Sequence, residues 1–313
     1  MKNIFVVIVT YNGAPWIRGA LDSIRQSETP CTAVVVDNAS TDGTVDIVRE
    51  EYADALLIAQ SENTGFGRGN NVGISLAIAQ GARYVFLLNQ DAFLTPAALG
   101  LLQQFLESHL EYSLATPLHC SPDLGTLDPQ TQRGYLQRYA PNYLSDACLG
   151  MTKAYYDIRG INAAAWMVRT EAFQRVGGFD PLFFMYGEDD DLIARFAYLG
   201  ERFALVPASR IVHLRARSAR PPVNLPKQLW NLSERARSEL LLDMKNPDGK
   251  LVGKLMRLLS IGVFLPFARF VANHDWKDAC AYLIATVRVL AESPRILRSA
   301  RRCAGRGPHY LNS

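Results

Sequence analysis

Four consecutive acids, Glu188-Asp189-Asp190-Asp191, follow the aromatic run Phe183-Phe184-Met185-Tyr186-Gly187 at the expected start of a helix. Acids in a first helical turn favour the positive end of the helix dipole, a structural reason for one or two of them. Four in succession exceed what capping needs, and their mutual repulsion raises at least one pKa, which suits a general base or a metal site. Asp91 ends the run Leu87-Leu88-Asn89-Gln90-Asp91. There a carboxylate either faces a crevice and holds a divalent ion or caps the helix that begins near Pro96. His213 closes Arg210-Ile211-Val212-His213, and a lone histidine at a strand end is ordinarily structural. Gly65-Phe66-Gly67-Arg68-Gly69 resembles a phosphate loop without being the dinucleotide fingerprint; its Arg68 either pairs with a diphosphate or is an ordinary exposed arginine.

The elements that must position these residues alternate. Apolar runs at 4–9, 33–36, 55–58 and 84–88 read as strands, and helical periodicity at 16–24, from about 45, and at 71–79 falls between them. That order predicts an α/β fold with a mostly parallel central sheet flanked by helices. Open sheets of this kind bind ligands beyond the carboxyl ends of their strands, where Asn12, Asp37, Asn63 and Asp91 stand in polar turns. Residues 117–160 hold prolines, glycines and tyrosines without clean periodicity and read as variable loops. A strand near 163–168, a helix at 170–176, a helix from about 189 to 199, and a strand pair at 203–206 and 210–213 complete this portion. Trp166 sits among Ala163, Ala164, Ala165, Met167 and Val168, as a core residue or as a surface for a sugar ring.

With 313 residues, 49% hydrophobic and 20% charged, the chain can bury a large core. Its formal charge of +3 hides a division: residues 250–313 hold 11 Lys/Arg against 3 Asp/Glu, leaving the rest with an excess of acid. A slightly acidic body argues against a nucleic-acid binder, whose basic charge would line the main face. The five scattered cysteines form no CxxC pair, so neither a disulfide framework nor a zinc site is expected, and a reducing cytoplasm is the simpler setting. The apolar run at 4–9 is too short for a signal-peptide core.

Taken in order, Val9-Thr10-Tyr11-Asn12-Gly13, Val36-Asp37-Asn38-Ala39-Ser40-Thr41-Asp42-Gly43-Thr44, Asn63-Thr64-Gly65-Phe66-Gly67, Asn70-Asn71-Val72-Gly73, Asn89-Gln90-Asp91, Gly177-Gly178-Phe179-Asp180 and Glu188-Asp189 resemble family 2 glycosyltransferases, most of all their rhamnosyltransferase-like branch. The resemblance implies a GT-A fold in residues 1–220, with a nucleotide-binding half (1–115) and an acceptor-binding half (116–220). A helical, basic amphipathic extension (221–313) would follow. It implies an inverting transfer from a nucleotide-diphosphate sugar, with L-rhamnose from dTDP-rhamnose the expected donor, to a saccharide or lipid-linked saccharide of a bacterial surface polysaccharide. By the same resemblance Thr10 and Tyr11 border the nucleotide, Asp37 accepts from a uracil or thymine N3–H, and Asn12, Asn63, Gly65, Arg68, Asn71 and Gln90 complete the donor set. Asp91 matches the last acid of the family's Asp-x-Asp motif and would hold magnesium or manganese, with His213 as a further ligand. Asn89 stands where the motif's first acid is usual, a departure that also fits a catalytically silent nucleotide-sugar sensor or scaffold. Asp189 would take the acceptor's proton, with Glu188 and Trp166 bordering the acceptor.

In the tail, Leu251, Leu255, Leu258 and Leu259 share one helical face while Lys250, Lys254 and Arg257 lie on another, a basic amphipathic pattern. The longest uncharged run there is 258–268, well short of the ~20 residues that cross a bilayer. A second apolar helix, 279–290, leads into Arg295, Arg298, Arg301, Arg302 and Arg306. The expected partner is the inner face of the plasma membrane, with packing against the catalytic domain or another subunit as the alternative.

Overall fold

The computed structural model describes residues 3–215, 224–246 and 250–311. Strand and helix alternate as the hydrophobic pattern requires: β1 Ile4–Thr10, α1 Ile17–Arg25, β2 Cys31–Asp37, α2 Thr44–Glu51, β3 Leu56–Ala59, α3 Phe66–Ala79 and β4 Tyr84–Asn89. Every residue of β1 is buried, as expected for a strand covered by helices on both faces. It pairs in parallel with β2 and β4, and β2 with β3, so the ends at Thr10, Asp37, Ala59 and Asn89 share one edge.

The chain continues through β5 Ala92–Leu94, α4 Ala98–Ser108, β6 Tyr112–Cys120, a π-helical turn Thr131–Leu136, α5 Gln137–Tyr139, α6 Pro141–Cys148 and β7 Tyr156–Ile158. Then come β8 Ala165–Arg169, α7 Thr170–Val176, α8 Glu188–Tyr198 and β9 Arg202–His213. One mixed sheet results, in the order β3-β2-β1-β4-β8-β6-β9-β5, with β7 added along β9. The segment 117–160, expected to be loops, is instead a strand end, helical turns and a short strand. Its helices bury only isolated residues such as Thr131, Leu136 and Tyr143, too few to print a period on the sequence. The expected strand pair at 203–206 and 210–213 is the single strand β9. Its register against β6 shifts between Val206 and Arg210, and Pro207 lies in that shift, where a missing N–H breaks no regular ladder.

The glycine-rich segment is not a free loop, because α3 begins at Phe66. Its glycines let the helix lie directly on the sheet: a Cβ at Gly73 would stand 2.3 Å from Val7 Cγ1, and one at Gly69 would stand 2.7 Å from Val9 Cγ1.

Among the described residues, the helices α9 Leu225–Lys245, α10 Leu251–Leu259, α11 Leu265–Asn273 and α12 Trp276–Cys303 follow. A π-helical turn at Ser260–Phe264 joins α10 to α11, and α12 runs through Pro294 rather than ending near 290. Leu240, Leu241 and Met244 of α9 and Val289 and Ile296 of α12 share a core with Leu182 and Phe183 of the body. The chain then returns to the sheet: Leu311 is buried in the main core, and Gly178 N–H donates to the His309 carbonyl (2.8 Å). The expected boundary at 220–221 lies outside the described residues. The contact at Gly73 makes a test: Gly73→Ala should lower unfolding free energy by roughly 1–3 kcal/mol, as overpacking does, measured by urea denaturation.

Candidate active site

The carboxyl ends of β1, β2 and β4 are laced together by side chains. Thr10 Oγ1 donates to Gln90 Oε1 (2.7 Å), and the Tyr11 N–H donates to the same oxygen (3.0 Å), latching β1 to the turn after β4. Asn12, with φ +49°, donates its N–H to Ser40 Oγ (2.8 Å) and accepts from the Thr41 N–H (2.9 Å). Asp37 is buried and accepts from the Ser40 N–H (2.9 Å) and hydroxyl (2.5 Å), which orients its carboxylate and leaves further lone pairs. The Tyr11 ring stands 48% exposed at the same edge. Thr10, Tyr11, Asn12, Asp37 and Gln90 are thus brought together.

Other residues expected to meet the donor brace the site. Asn63 Oδ1 accepts from the Gly65 N–H (2.9 Å), and Gly65, at φ +89°, lies against the Phe184 carbonyl where a Cβ would come within 2.4 Å. Asn71 spends its amide on the turn before α8, donating to the Phe179 carbonyl (2.8 Å) and accepting from the Phe179 N–H (2.7 Å). Arg68 is exposed near the Pro181 carbonyl. These contacts join the first turn of α3 to residues 178–188, bringing the acids to the donor edge.

The acid run divides into separate environments. Asp191 is buried between Arg195 (2.9 Å) and Lys245, and Lys245 also pairs with buried Asp180. Asp190 is exposed at the helix start. Glu188 is buried with Oε2 unpartnered among the described residues. Burial, followed by repulsion from Asp189, pushes its pKa up to about 8. Burial and the charge of Asp190 push Asp189 up to about 6, while the Ala163 N–H, donating to Asp189 Oδ2 (3.3 Å), opposes the rise. Both carboxyls are raised by burial and by their neighbours' charge, so the pair holds a proton more readily than free carboxylates do, and one member can accept a proton while the other carries one. Tyr186 (φ +69°) and Gly187 (φ +78°) turn the chain into α8, and Ser238 of α9 holds that turn by donating to the Met185 carbonyl (3.2 Å).

Asp91 lies just before β5, whose Ala92 pairs with His213 of β9, and His213 Nε2 stands 3.4 Å from Asp91 Oδ1. His213 Nδ1 is buried without a partner among the described residues. His119, on neighbouring β6, has its ring 5.8 Å from that of His213, and burial holds its pKa well below the ordinary histidine value. The sequence pattern gave no reason to single out His119, because its signal is only a lone histidine inside an apolar strand. Tyr135 was likewise missed; Asp189 and Asp190 act on its hydroxyl, whose pKa burial raises.

Trp166 is the clear correction among residues expected to meet the acceptor. It is completely buried on β8 and stacks against Phe179 with ring centroids 6.5 Å apart, so no sugar can lie on it. Every residue of its strand is buried, with Trp166 and Val168 in one core and Ala165 and Met167 in the other, so neither face of β8 meets solvent.

A parallel α/β half with polar strand ends, joined to a half that delivers an acid pair to the same edge, defines a GT-A glycosyltransferase. Residues 5–177 match the model of glycosyl transferase family 2, and the chain belongs to that family. Residues 148–217 match a second model, described as the N-terminal domain of galactosyltransferase. The N-acetylglucosaminyl-diphospho-decaprenol L-rhamnosyltransferase of Mycobacterium tuberculosis is 29% identical over 68% of this chain and 76% of its own length. Rhamnosyltransferase WbbL of Escherichia coli is 25% identical over 67% of this chain and 83% of its own. Among solved structures, mannosyltransferase PcManGT from Pyrobaculum calidifontis, in complex with GDP-Man and Mn2+, superposes with a TM-score of 0.57 at 21% identity, covering 96% of this chain and 80% of that one.

A raised carboxyl pKa means that the folded state holds the proton more tightly than the unfolded state. Stability then falls as pH rises between the unfolded and folded values. For Glu188 that window runs from its ordinary 4.5 to about 8. Glu188→Gln should therefore melt above the wild type near pH 9, with the difference closing toward pH 4. Melting curves that stay parallel across this range would contradict the assignment.

Proposed function

We propose that this glycosyltransferase moves L-rhamnose from dTDP-rhamnose to a saccharide carried on a lipid diphosphate, with inversion at the anomeric carbon, in making a bacterial surface polysaccharide. The observation that carries the reading is the Glu188-Asp189 pair held at the start of α8, with Asp189 oriented by the Ala163 N–H, because a sugar hydroxyl is a poor nucleophile without a positioned base. The two rhamnosyltransferase relatives support the sugar, and the first relative's name supports the acceptor class.

In this mechanism Asp37 and the Tyr11 ring hold the base, and Gln90 keeps the two strand ends in register beneath it. Asp189 takes the acceptor's hydroxyl proton as the oxygen attacks the anomeric carbon. The bond from that carbon to the diphosphate oxygen breaks on the opposite face, and dTDP departs. Glu188, buried beside Asp189 with Oε2 unpartnered among the described residues, would hydrogen-bond the acceptor.

Asp91 and His213 fit a divalent cation, magnesium or manganese. Histidine Nε2 and a carboxylate face each other at 3.4 Å, and the described residues contain no group of three His, Cys, Asp or Glu side chains that could form a closed chelate. Two protein donors suit an open site, completed by diphosphate oxygens and water. The cation would supply positive charge to the leaving diphosphate.

An anionic membrane surface is the proposed setting. Residues Leu251–Asn273 form a nearly continuous helix of 23 residues that meets the length and composition of a bilayer span, which revises the expectation from the short uncharged run. An interfacial position is better supported. Leu258 is buried against the body, and a Cβ at Gly262 would come within 2.1 Å of Thr286 Oγ1, so one face is docked on protein. Val252, Met256, Phe264, Phe267 and Val271 are exposed on this rod. Arg288 pairs with buried Glu234 and Arg237 with Glu292, so part of the tail's charge serves packing.

Incubation with nucleotide sugars and manganese should release dTDP slowly from dTDP-rhamnose, and chelation should stop the release. Asp189→Asn should lower acceptor-dependent kcat/KM by roughly 10²–10⁴, the usual contribution of a general base. The wild-type rate should climb with pH through about 6, since the base must be ionised. Donor binding without turnover under any condition would favour the silent sensor. Replacing Phe264 and Phe267 by Ser should reduce sedimentation with anionic liposomes; equal partitioning would remove the membrane assignment.

A further inference from the structure

A cavity of about 790 Å³ lies between the acceptor half and the helical extension, outside the donor edge. Its floor is one face of α8, formed by Asp190, Ala194, Ala197 and Tyr198 at helical spacing, so it begins one residue from Asp189. Arg138 and Arg159 line one side, and Leu242, Arg257 and Ile261 line the other. The groove therefore runs from the proposed base toward the exposed apolar rod.

The charges inside it are not equally free. Asp191, Arg195 and Lys245 are neutralised together with Asp180, Arg257 pairs with Asp243 at 2.9 Å, and Glu239 accepts from the Tyr282 hydroxyl (2.6 Å). Arg138 and Arg159 are exposed, and neither forms an ion pair among the described residues; desolvation raises the Asp190 pKa, and the Arg138 charge opposes that rise. Two guanidinium groups near one groove wall suit an anion with several oxygens, since each presents a planar fork of donors. Ile261 at the far wall leads directly into the exposed Phe264, Leu265 and Phe267. An occupant with a polar head near Asp189, an anionic linker at the arginines and an apolar tail along the rod matches all three regions.

We propose that this groove binds the diphosphate and first isoprenoid units of a polyprenyl-diphosphate-linked acceptor, with Arg138 and Arg159 as the diphosphate ligands. The inference rests on the role proposed for Asp189 and adds the path by which a lipid-borne sugar reaches it. The groove's volume suits this: ligand sites of roughly 300–1,000 Å³ hold molecules of this class.

Farnesyl diphosphate is the probe, titrated calorimetrically into full-length protein already saturated with dTDP so that the donor edge cannot take the diphosphate. The wild type should bind it, and farnesol and inorganic diphosphate should each bind at least tenfold more weakly. Arg138→Gln with Arg159→Gln should weaken farnesyl diphosphate at least tenfold while dTDP still raises the melting temperature. Should that double variant fail to fold, Ala194→Trp fills the groove floor without altering a charge and should weaken the probe by a similar factor. Absence of binding to the wild type, equal binding of inorganic diphosphate, or undiminished affinity in the folded variants would overturn the proposal. Probe binding that behaves as stated, in a protein that releases no dTDP from any donor, would instead sink the transferase reading and leave the groove standing.

Discussion

Lys245 is the residue on which the geometry of this protein turns. It reaches from α9 into the body, between Asp180 of the turn before α8 and Asp191 inside α8, and all three are buried. Arg195 completes the balance by pairing with Asp191 and donating to the Gly178 carbonyl (2.6 Å). Buried charges of this kind stabilise only as a set, because removing one partner strands the others away from water. The set ties the helical extension, the Gly-Gly-Phe-Asp turn and α8 into one unit. Glu188 and Asp189, at the front of that helix, are left outside the network, and burial, followed by repulsion from the neighbouring acids, raises their pKa values.

The two halves of the site are held by different physics. On the donor side neutral hydrogen bonds among Thr10, Asn12, Ser40 and Gln90 fix the strand ends without altering a charge. On the acceptor side electrostatics dominates, and burial rather than hydrogen bonding sets the acid pair. Glycine joins them: Gly65 and Gly67 allow the start of α3 to approach Phe184, Phe179 and Glu188 more closely than any side chain would permit. That contact sets the start of α8, with Glu188, against the start of α3.

The helical extension also positions the acids. Its α9 supplies Lys245 and Ser238 to the placement of the acids, and its α12 supplies Ser299, which donates to Asp180. Arginines at 237 and 288 are spent on Glu292 and Glu234, so a count of basic residues overstates what is free for an anionic surface.

The parallel half was legible because a strand buried on both faces must be a continuous apolar run, and a polar turn must follow it. Asn12, Asp37, Asn63 and Asp91 could therefore be placed beyond the strand ends from residue order alone, and four adjacent acids announced at least one raised pKa. Tertiary packing decided the rest. No local pattern says that Asp191 would turn inward to Lys245 while Asp189 stays unpaired, since the lysine lies 54 positions away. Nor could the sequence choose between core and sugar platform for Trp166, because the answer depends on β8 lying between β4 and β6. Gly67 and Gly69 read as parts of a phosphate loop until the helix they belong to met the sheet. Local chemistry is written in neighbouring residues; burial, which sets pKa and access, is a property of elements that meet only when the chain has folded.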